Sequence, residues 1–464
     1  MQKATHEPEW NPTRLREDRP PYLALLQLLQ DDIENGTLQA GVRLPPHRKL
    51  AAQLGIGIST VTKAYRTAGQ MGLIGGRSGQ GTFVLSPRDR SSPAETGDDV
   101  NLGFNLSPRI GQREAIREIM ADLGNDPVLD DLFAHSSIEA QRAHRQTIAT
   151  WLTRPGFAPG SDDIVLTNGA QHGIDLALNL LAAPGAPILV EELTYVGFNA
   201  LAATRQFPLV PVGMDEEGIT PEALETALIA SGAKVLYCMP TLQSPTARTM
   251  GRERREAIAR LARKHDIRII EDDVYSFLAS QELPPIASLC PERTIHLSSF
   301  SKLLGLGFRL GAAVVPAALR DQAQIAVRAT AWTTSALLTE IVARLLETGR
   351  FQQLADTMRL ESAARVEMFR SIFADFADLP DGNVMGYHTW LPLPSTSAAQ
   401  DLYYTARNQG LLLTPPGAAA VPSVEEAGIR ICLGGDADRG SIQSALHRLR
   451  RIIDTPAEQF LTYA

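Results

Sequence analysis

The sequence predicts a multidomain chain: a small N-terminal α+β module, then a large α/β domain built on a mostly parallel sheet. Three observations carry this. The chain has 464 residues, room for two to four domains at about 150 residues each. Its charge is uneven. Residues 20–85 hold six cations (Arg43, Arg48, Lys49, Lys63, Arg66, Arg77) against three anions (Asp31, Asp32, Glu34), while the net charge of the whole chain is -8. Third, the pattern changes near residue 104, from short helices and a glycine-tipped hairpin to helices alternating with short apolar runs.

Hydrophobic residues at 44% and charged residues at 21% exclude a mostly disordered or fibrous chain. Arg309 interrupts the apolar run 305–319, and Pro184 and Pro187 interrupt 176–190, so no membrane span is expected. The first twenty residues have no apolar core to suggest a secretory signal. Cys238, Cys290 and Cys432 are scattered, matching neither a disulfide framework nor a zinc motif, and a cytoplasmic location with no metal is expected.

Residues 1–19 are polar and proline-bearing and are expected to form a flexible tail. From Pro21, the residues Tyr22, Leu25, Leu26, Leu29 and Ile33 share one helical face, and Gly36 ends the helix. A second short helix, HRKLAAQL, closes at Gly55. A third follows, with Ser59 or Thr60 as its cap and Val61, Ala64, Tyr65 and Ala68 as its buried stripe. GGRSGQGTFV reads as a hairpin with a glycine-rich tip. Residues 86–103 begin with a Ser-, Pro- and charge-rich stretch and are expected to form a linker.

Beyond the linker, strands are expected at 164–167, 188–191, 235–239, 267–271, 294–298 and 312–315. Helices lie between them, including 170–181 and 252–265. Near the C-terminus a strand is expected at 429–433 and an amphipathic helix at 439–453. Short strands separated by helices argue for a mostly parallel sheet covered on both faces.

The N-terminal pattern suits a winged helix-turn-helix, whose second helix enters a major groove while the hairpin tip follows the backbone. Candidate DNA contacts are Arg48 and Lys49 on the first helix of the pair, Ser59, Thr60, Lys63 and Arg66 on the second, and Arg77 and Gly79 in the wing. Cations and hydroxyls there bind phosphates and fix register. The string LQAGVRLPPHRKLAAQLGIGISTVTKAYRTAGQMGLIGGRSGQGTFV resembles the GntR-type winged helix over its whole length, which implies double-stranded operator DNA as the partner. Two positions depart from the family pattern: Ile58 stands where Arg or another polar residue is usual, and Gly57 replaces the usual Ser.

In the large domain, Ser299, Ser301, Lys302 and Arg309 follow a predicted strand. A lysine there, beside hydroxyls and an arginine, is placed to take an aldehyde and a phosphate. Gly169-Ala170-Gln171 opens a helix, a natural phosphate site. Asp272 and Tyr275 follow another strand, and could serve a pyridine nitrogen and a phenolate. Tyr195 could stack on a ring.

The ordered set GAQ, ELTY, PTLQSPT, EDDVY, SFSK with arginine seven residues on, and GIR resembles the fold-type I aminotransferases over residues 104–464. The resemblance implies pyridoxal 5'-phosphate, with Lys302 carrying the aldimine and Asp272 on the pyridine nitrogen. It also implies Tyr275 and Ser244 near the ring oxygen, and Tyr195 stacked on the ring. Ala170, Gln171, Ser299, Ser301 and Arg309 would hold the phosphate, and Arg430 a substrate or effector carboxylate. Ser244 and Ala247 stand where these enzymes usually have Asn and Gly, and Leu193 where they have Pro. Phe133 is the nearest aromatic to an expected upstream Tyr.

Joined, the expected domains are 20–85 as the DNA-binding domain and 104–464 as the effector and dimerisation domain. That arrangement resembles the MocR-type regulators. It implies a homodimeric transcription factor sensing pyridoxal phosphate, or a small amino compound, through Lys302. The alternative expectation is a working aminotransferase with a vestigial DNA-binding domain; weak or absent transaminase activity is the expectation under the first reading.

Overall fold

A computed structural model describes residues 10, 12, 21–39, 41–70, 73–77, 81–84, 100–133, 138–279, 283–376, 379, 385–422, 424–425 and 427–455. The chain divides into two units, Met1–Asp99 and Val100–Ala464.

In the first unit, helix α1 (Pro21–Glu34) packs against α3 (Ile58–Gln70), which packs in turn against α2 (His47–Leu54). The predicted stripe is buried: Val61, Ala64, Tyr65 and Ala68 face Leu25 and Leu29 in one core. Gly55 ends α2 in the left-handed region at φ 65°, the conformation that favours glycine at that turn. Strands β1 (Ile74–Arg77) and β2 (Gly81–Val84) pair antiparallel as the wing. The 41–44 turn lies along β2, with Leu44 N–H donating to Thr82 O (2.8 Å) and Gly41 N–H to Val84 O (2.8 Å).

Two expectations change here. Trp10, in the segment expected as a free tail, is buried in the head's core, and its Nε1 donates to Asp32 Oδ2 (2.8 Å). An aromatic side chain with a polar handle holds that position in the core. α3 opens at Ile58, so Ser59 and Thr60 lie in its first turn rather than capping it.

The second unit begins with β3 (Val100–Asn101), inside the expected linker. β3 pairs in parallel with β14 (Leu411–Leu412). The main sheet has the order β4-β12-β11-β10-β9-β5-β6. Its strands are β4 (Ile164–Thr167), β5 (Ile188–Glu191), β6 (Leu209–Val212), β9 (Val235–Cys238), β10 (Arg268–Asp272), β11 (Thr294–Ser299) and β12 (Gly311–Val314). β7 (Met214–Asp215) and β8 (Gly218–Ile219) form a separate hairpin. Only β12 runs antiparallel to its neighbours. Two buried apolar clusters cover the sheet, one centred on Ile174, Tyr237 and Leu297, the other on Leu236, Ile258 and Ile269. That two-sided cover is the reason the strands read as unbroken apolar runs.

A third core defines the smaller lobe. It joins Leu102, Phe369, Leu391, Ile431 and Leu446 around β13 (His388–Pro392) and β15 (Gly428–Cys432), which pair antiparallel. The three cysteines are buried and free. Among the described residues, no helix is long and apolar enough to cross a membrane.

Candidate functional site

The parallel strands bring their C-terminal ends to one edge of the sheet, where ligands bind in open α/β folds. Asp272 is the last residue of β10 and is buried. Tyr237 on β9 donates its hydroxyl to Asp272 Oδ2 (2.8 Å), while Oδ1 is buried with no hydrogen-bond partner. Burial raises the Asp272 pKa to about 6, opposed by the Tyr237 bond and by the charge of Lys302. Phe198 stacks on Tyr237 at 3.9 Å and fixes that donor.

Lys302 lies in the short helix Ser301–Leu304 after β11, its Nζ 5.0 Å from the centroid of the Tyr275 ring. Ser107 Oγ and Tyr387 Oη both donate to Lys302 O (2.8 Å each). Asn105 Nδ2 donates to Tyr275 Oη (2.7 Å). Burial pushes the Tyr275 hydroxyl well above its ordinary pKa.

Beside the lysine, Gly169 precedes helix Ala170–Leu181 at φ 78°. A Cβ at Gly169 would fall 2.8 Å from Arg309 Nη2 and push the guanidinium aside, and the positive φ itself favours glycine. Arg309 donates to Asn168 O (3.3 Å). Ser301 N–H donates to Ser299 Oγ (3.3 Å), and Ser301 Oγ donates to Phe308 O. This combination of helix N-terminus, guanidinium and hydroxyls suits a phosphate. Gln171 Nε2 donates to Gly197 O (2.9 Å), while Oε1 is buried without a partner. The Tyr195 ring folds over Gly197, where an added Cβ would meet Cζ at 2.4 Å.

Arg430 on β15 donates to Ser244 Oγ (3.3 Å) and Gly103 O (3.2 Å). Its Nε is buried without a partner. Ala247, where the family has glycine, is buried at φ 61°. Asp272 ends β10 and Lys302 follows β11 at the C-terminal edge of the main sheet, while Arg430 reaches Ser244 from β15 of the smaller lobe. Their fit to pyridoxal phosphate is supported by the orphaned Asp272 Oδ1, which faces no protein donor, and by the space that Gly169 leaves for Arg309.

Sequence reasoning missed several groups here. Tyr237, Asn105 and Ser107 sit in stretches with no motif. Gln243 is a hub: its Nε2 donates to Glu191 Oε2 (3.2 Å) and Leu193 O (2.6 Å), and its Oε1 accepts from Thr246 N–H (3.0 Å) and Oγ1 (2.6 Å). Glu191 is fully buried, and burial raises its pKa to about 8. His388 bonds Gln243 O through Nε2 (3.0 Å); burial lowers its pKa to about 3, so it is neutral. Polarity inside apolar strand patterns was the one signal available for Glu191 and His388.

In the head, Arg48 and Lys49 are exposed on α2, and Thr60 is half-buried. Lys63 is exposed, its Nζ 3.8 Å over the Tyr22 ring. Gly79 and the side chains of Ser59, Arg66 and Arg77 lie outside the described residues.

Comparison with known proteins adds to this geometry. Residues 130–449 match the family model "Aminotransferase class I and II", and residues 21–84 match "Bacterial regulatory proteins, gntR family". The HTH-type transcriptional regulator YdeF of Bacillus subtilis (strain 168) is 28% identical over 452 residues, covering 96% of this chain and 97% of the relative. The vitamin B6 salvage pathway transcriptional repressor PtsJ of Salmonella typhimurium is 27% identical, covering 90% and 96%. Among solved structures, kynurenine aminotransferase of Pyrococcus horikoshii superposes with TM-score 0.71 at 24% identity, covering 79% of this chain and 93% of its own, a likeness of fold.

Proposed function

The chain belongs to the aminotransferase class I and II family and carries a GntR-type DNA-binding head of MocR-type regulators ahead of that domain, and on that premise we propose that it is a transcriptional regulator that binds pyridoxal 5'-phosphate and senses an amino compound through it. The observation that carries this reading is a buried carboxylate oxygen without a partner, Asp272 Oδ1, in the same site as Lys302, in a chain with a DNA-binding head. Pyridoxal phosphate would supply an aldehyde for amines and an electron-withdrawing ring.

The chain's own residues then have assignable tasks. Asp272 Oδ1 would accept from the pyridine ring nitrogen, with Tyr237 holding the carboxylate in place. Lys302 would be the amine that holds the aldehyde. Tyr275 and Ser244 would serve the ring oxygen, and Tyr195 would cover the ring. The backbone at Ala170, with Gln171, Ser299, Ser301 and Arg309, holds the phosphate. Arg430 takes a carboxylate of the amino compound, exchanging its bonds to Ser244 and Gly103 O for a bidentate pair.

In the head, Arg48, Lys49, Ser59, Thr60, Lys63, Arg66, Arg77 and Gly79 would contact DNA. Two heads in a homodimer would take paired half-sites. The name of the PtsJ relative, a repressor of vitamin B6 salvage, supports the same cofactor class. An effector alters DNA affinity only if it favours one arrangement of the heads over another.

The test is Lys302→Ala in the full chain. It should lose the visible absorbance of bound pyridoxal phosphate and lose any response of the DNA footprint to pyridoxal phosphate or amino compounds, while keeping ligand-free DNA binding. A variant whose footprint still responds as the parent's does would sink the proposal. Keto-acid-dependent amino-group transfer by the parent protein at enzyme-like rates would favour the second reading, an aminotransferase with a vestigial head.

A further inference from the structure

We infer that Ile58 reads sequence: its side chain takes the 5-methyl group of a thymine in the major groove. The inference rests on the DNA-binding role of the head. α3 is the second helix of the α2–α3 pair, and in helix-turn-helix proteins the residues that open this helix meet base edges. Ile58 is the first residue of α3 and is 50% exposed. The helix's own core positions, Val61, Ala64 and Tyr65, are buried without it, so the head's packing does not account for an isoleucine at 58. A β-branched residue is also a poor choice for an exposed helical position on propensity alone.

The chemistry of the side chain then narrows the contact. A butyl group neither donates to a phosphate nor bonds a purine edge. The one apolar group that a base pair displays in the major groove is the thymine methyl. Gly57, just before it, is exposed and adds no side chain that would hold Ile58 away from a duplex. The cation nearest along the helix, Lys63, lies over the Tyr22 ring, and Val61 is buried, which leaves Ile58 as the exposed apolar side chain of the opening turn among the described residues.

The experiment uses the full-length protein and duplexes that it selects from a randomised pool. Each thymine of the selected half-site is replaced singly by deoxyuridine, which removes only the methyl. One such replacement should weaken binding about fourfold per half-site, the worth of burying one methyl. Ile58→Ala should bind the thymine and deoxyuridine duplexes equally at that position. If no replacement separates the parent from Ile58→Ala, the inference is overturned although DNA recognition stands. If the protein enriches no sequence at all, the DNA-binding reading fails with it.

Discussion

Glu191→Gln should flatten the pH dependence of the large unit's stability between pH 6.5 and 8. Glu191 is fully buried, and its pKa rises from 4.5 to about 8 because burial penalises the carboxylate. The folded state therefore holds a proton that the unfolded chain has released. Stability is fully present below pH 4.5 and is lost as pH climbs toward 8, at about 1.4 kcal/mol per pH unit. Over the window from 6.5 to 8 the loss is roughly 2 kcal/mol. The window isolates this group. Asp272, raised to about 6, has finished most of its contribution below it. His388, lowered to about 3, contributes with the opposite sign, losing stability as pH falls below 6.5. The glutamine keeps an acceptor for Met239 N–H but turns an amide toward Gln243 Nε2. It therefore loses about 1 kcal/mol at every pH, and the slope, rather than the absolute stability, is the readout. Urea unfolding in a Trp10→Phe background makes fluorescence report the large unit alone. A variant that declines as steeply as its parent from pH 6.5 to 8 would refute the reasoning.

Three other changes have stated outcomes. Gln243→Ala strands Glu191 Oε2, Leu193 O and both Thr246 donors, and should cost the large unit about 3–5 kcal/mol in urea unfolding. Trp10→Ala empties a buried site in the head and breaks the bond to Asp32. It should destabilise the head by about 3–4 kcal/mol, read as faster hydrogen exchange in α1 with the large unit unchanged. Ser107→Ala removes a donor to Lys302 O. It should shrink the effector-driven change in DNA affinity several-fold, by about 1 kcal/mol of coupling, in titrations with and without the amino compound.

Six of the seven strands of the large sheet were legible because they are largely buried on both faces and read as apolar runs. The predicted strand at 267–271 appears as Arg268–Asp272, and that single-residue shift makes Asp272 the end of the strand rather than part of the loop. β6 was not expected: its Leu-Val-Pro-Val carries a proline, which is tolerated at the sheet's edge. β13 was missed because His388 and Thr389 interrupt its apolar pattern; both are buried, and the histidine is bonded to Gln243. The motif-bearing residues Lys302, Asp272, Arg309 and Arg430 were legible from their order along the chain. Their supports were not. Tyr237, Gln243 and Asn105 act across separations of 35 to 170 residues, and a contact of that range leaves no local signature. The polar character of residues 1–19 likewise gave no sign that Trp10 is buried in the head's core with Asp32 as its hydrogen-bond partner.

The segment that opens the second unit is bonded to the candidate site. Val100–Asn101 pairs into the smaller lobe through β14. Two residues on, Gly103 O accepts from Arg430, from Thr414 Oγ1 (2.9 Å) and from Cys432 Sγ (3.4 Å). A Cβ at Gly103 would lie 2.7 Å from the Leu413 backbone, so the segment is pressed against the chain that leaves β14. Asn105 then bonds Tyr275, and Ser107 bonds the backbone of Lys302. Under the proposed function, a carboxylate arriving at Arg430 competes with Gly103 O for the same guanidinium, and a change at Lys302 is felt by Ser107. The residues that would register an effector are thus bonded to Gly103, Asn105 and Ser107, near the start of the second unit. The bond to Gly103 is made by a main-chain carbonyl, and the close approach to the Leu413 backbone holds that carbonyl in place. Under the proposed function, a ligand carboxylate that displaces it acts on the backbone at the start of the second unit, and an amine without a carboxylate does not.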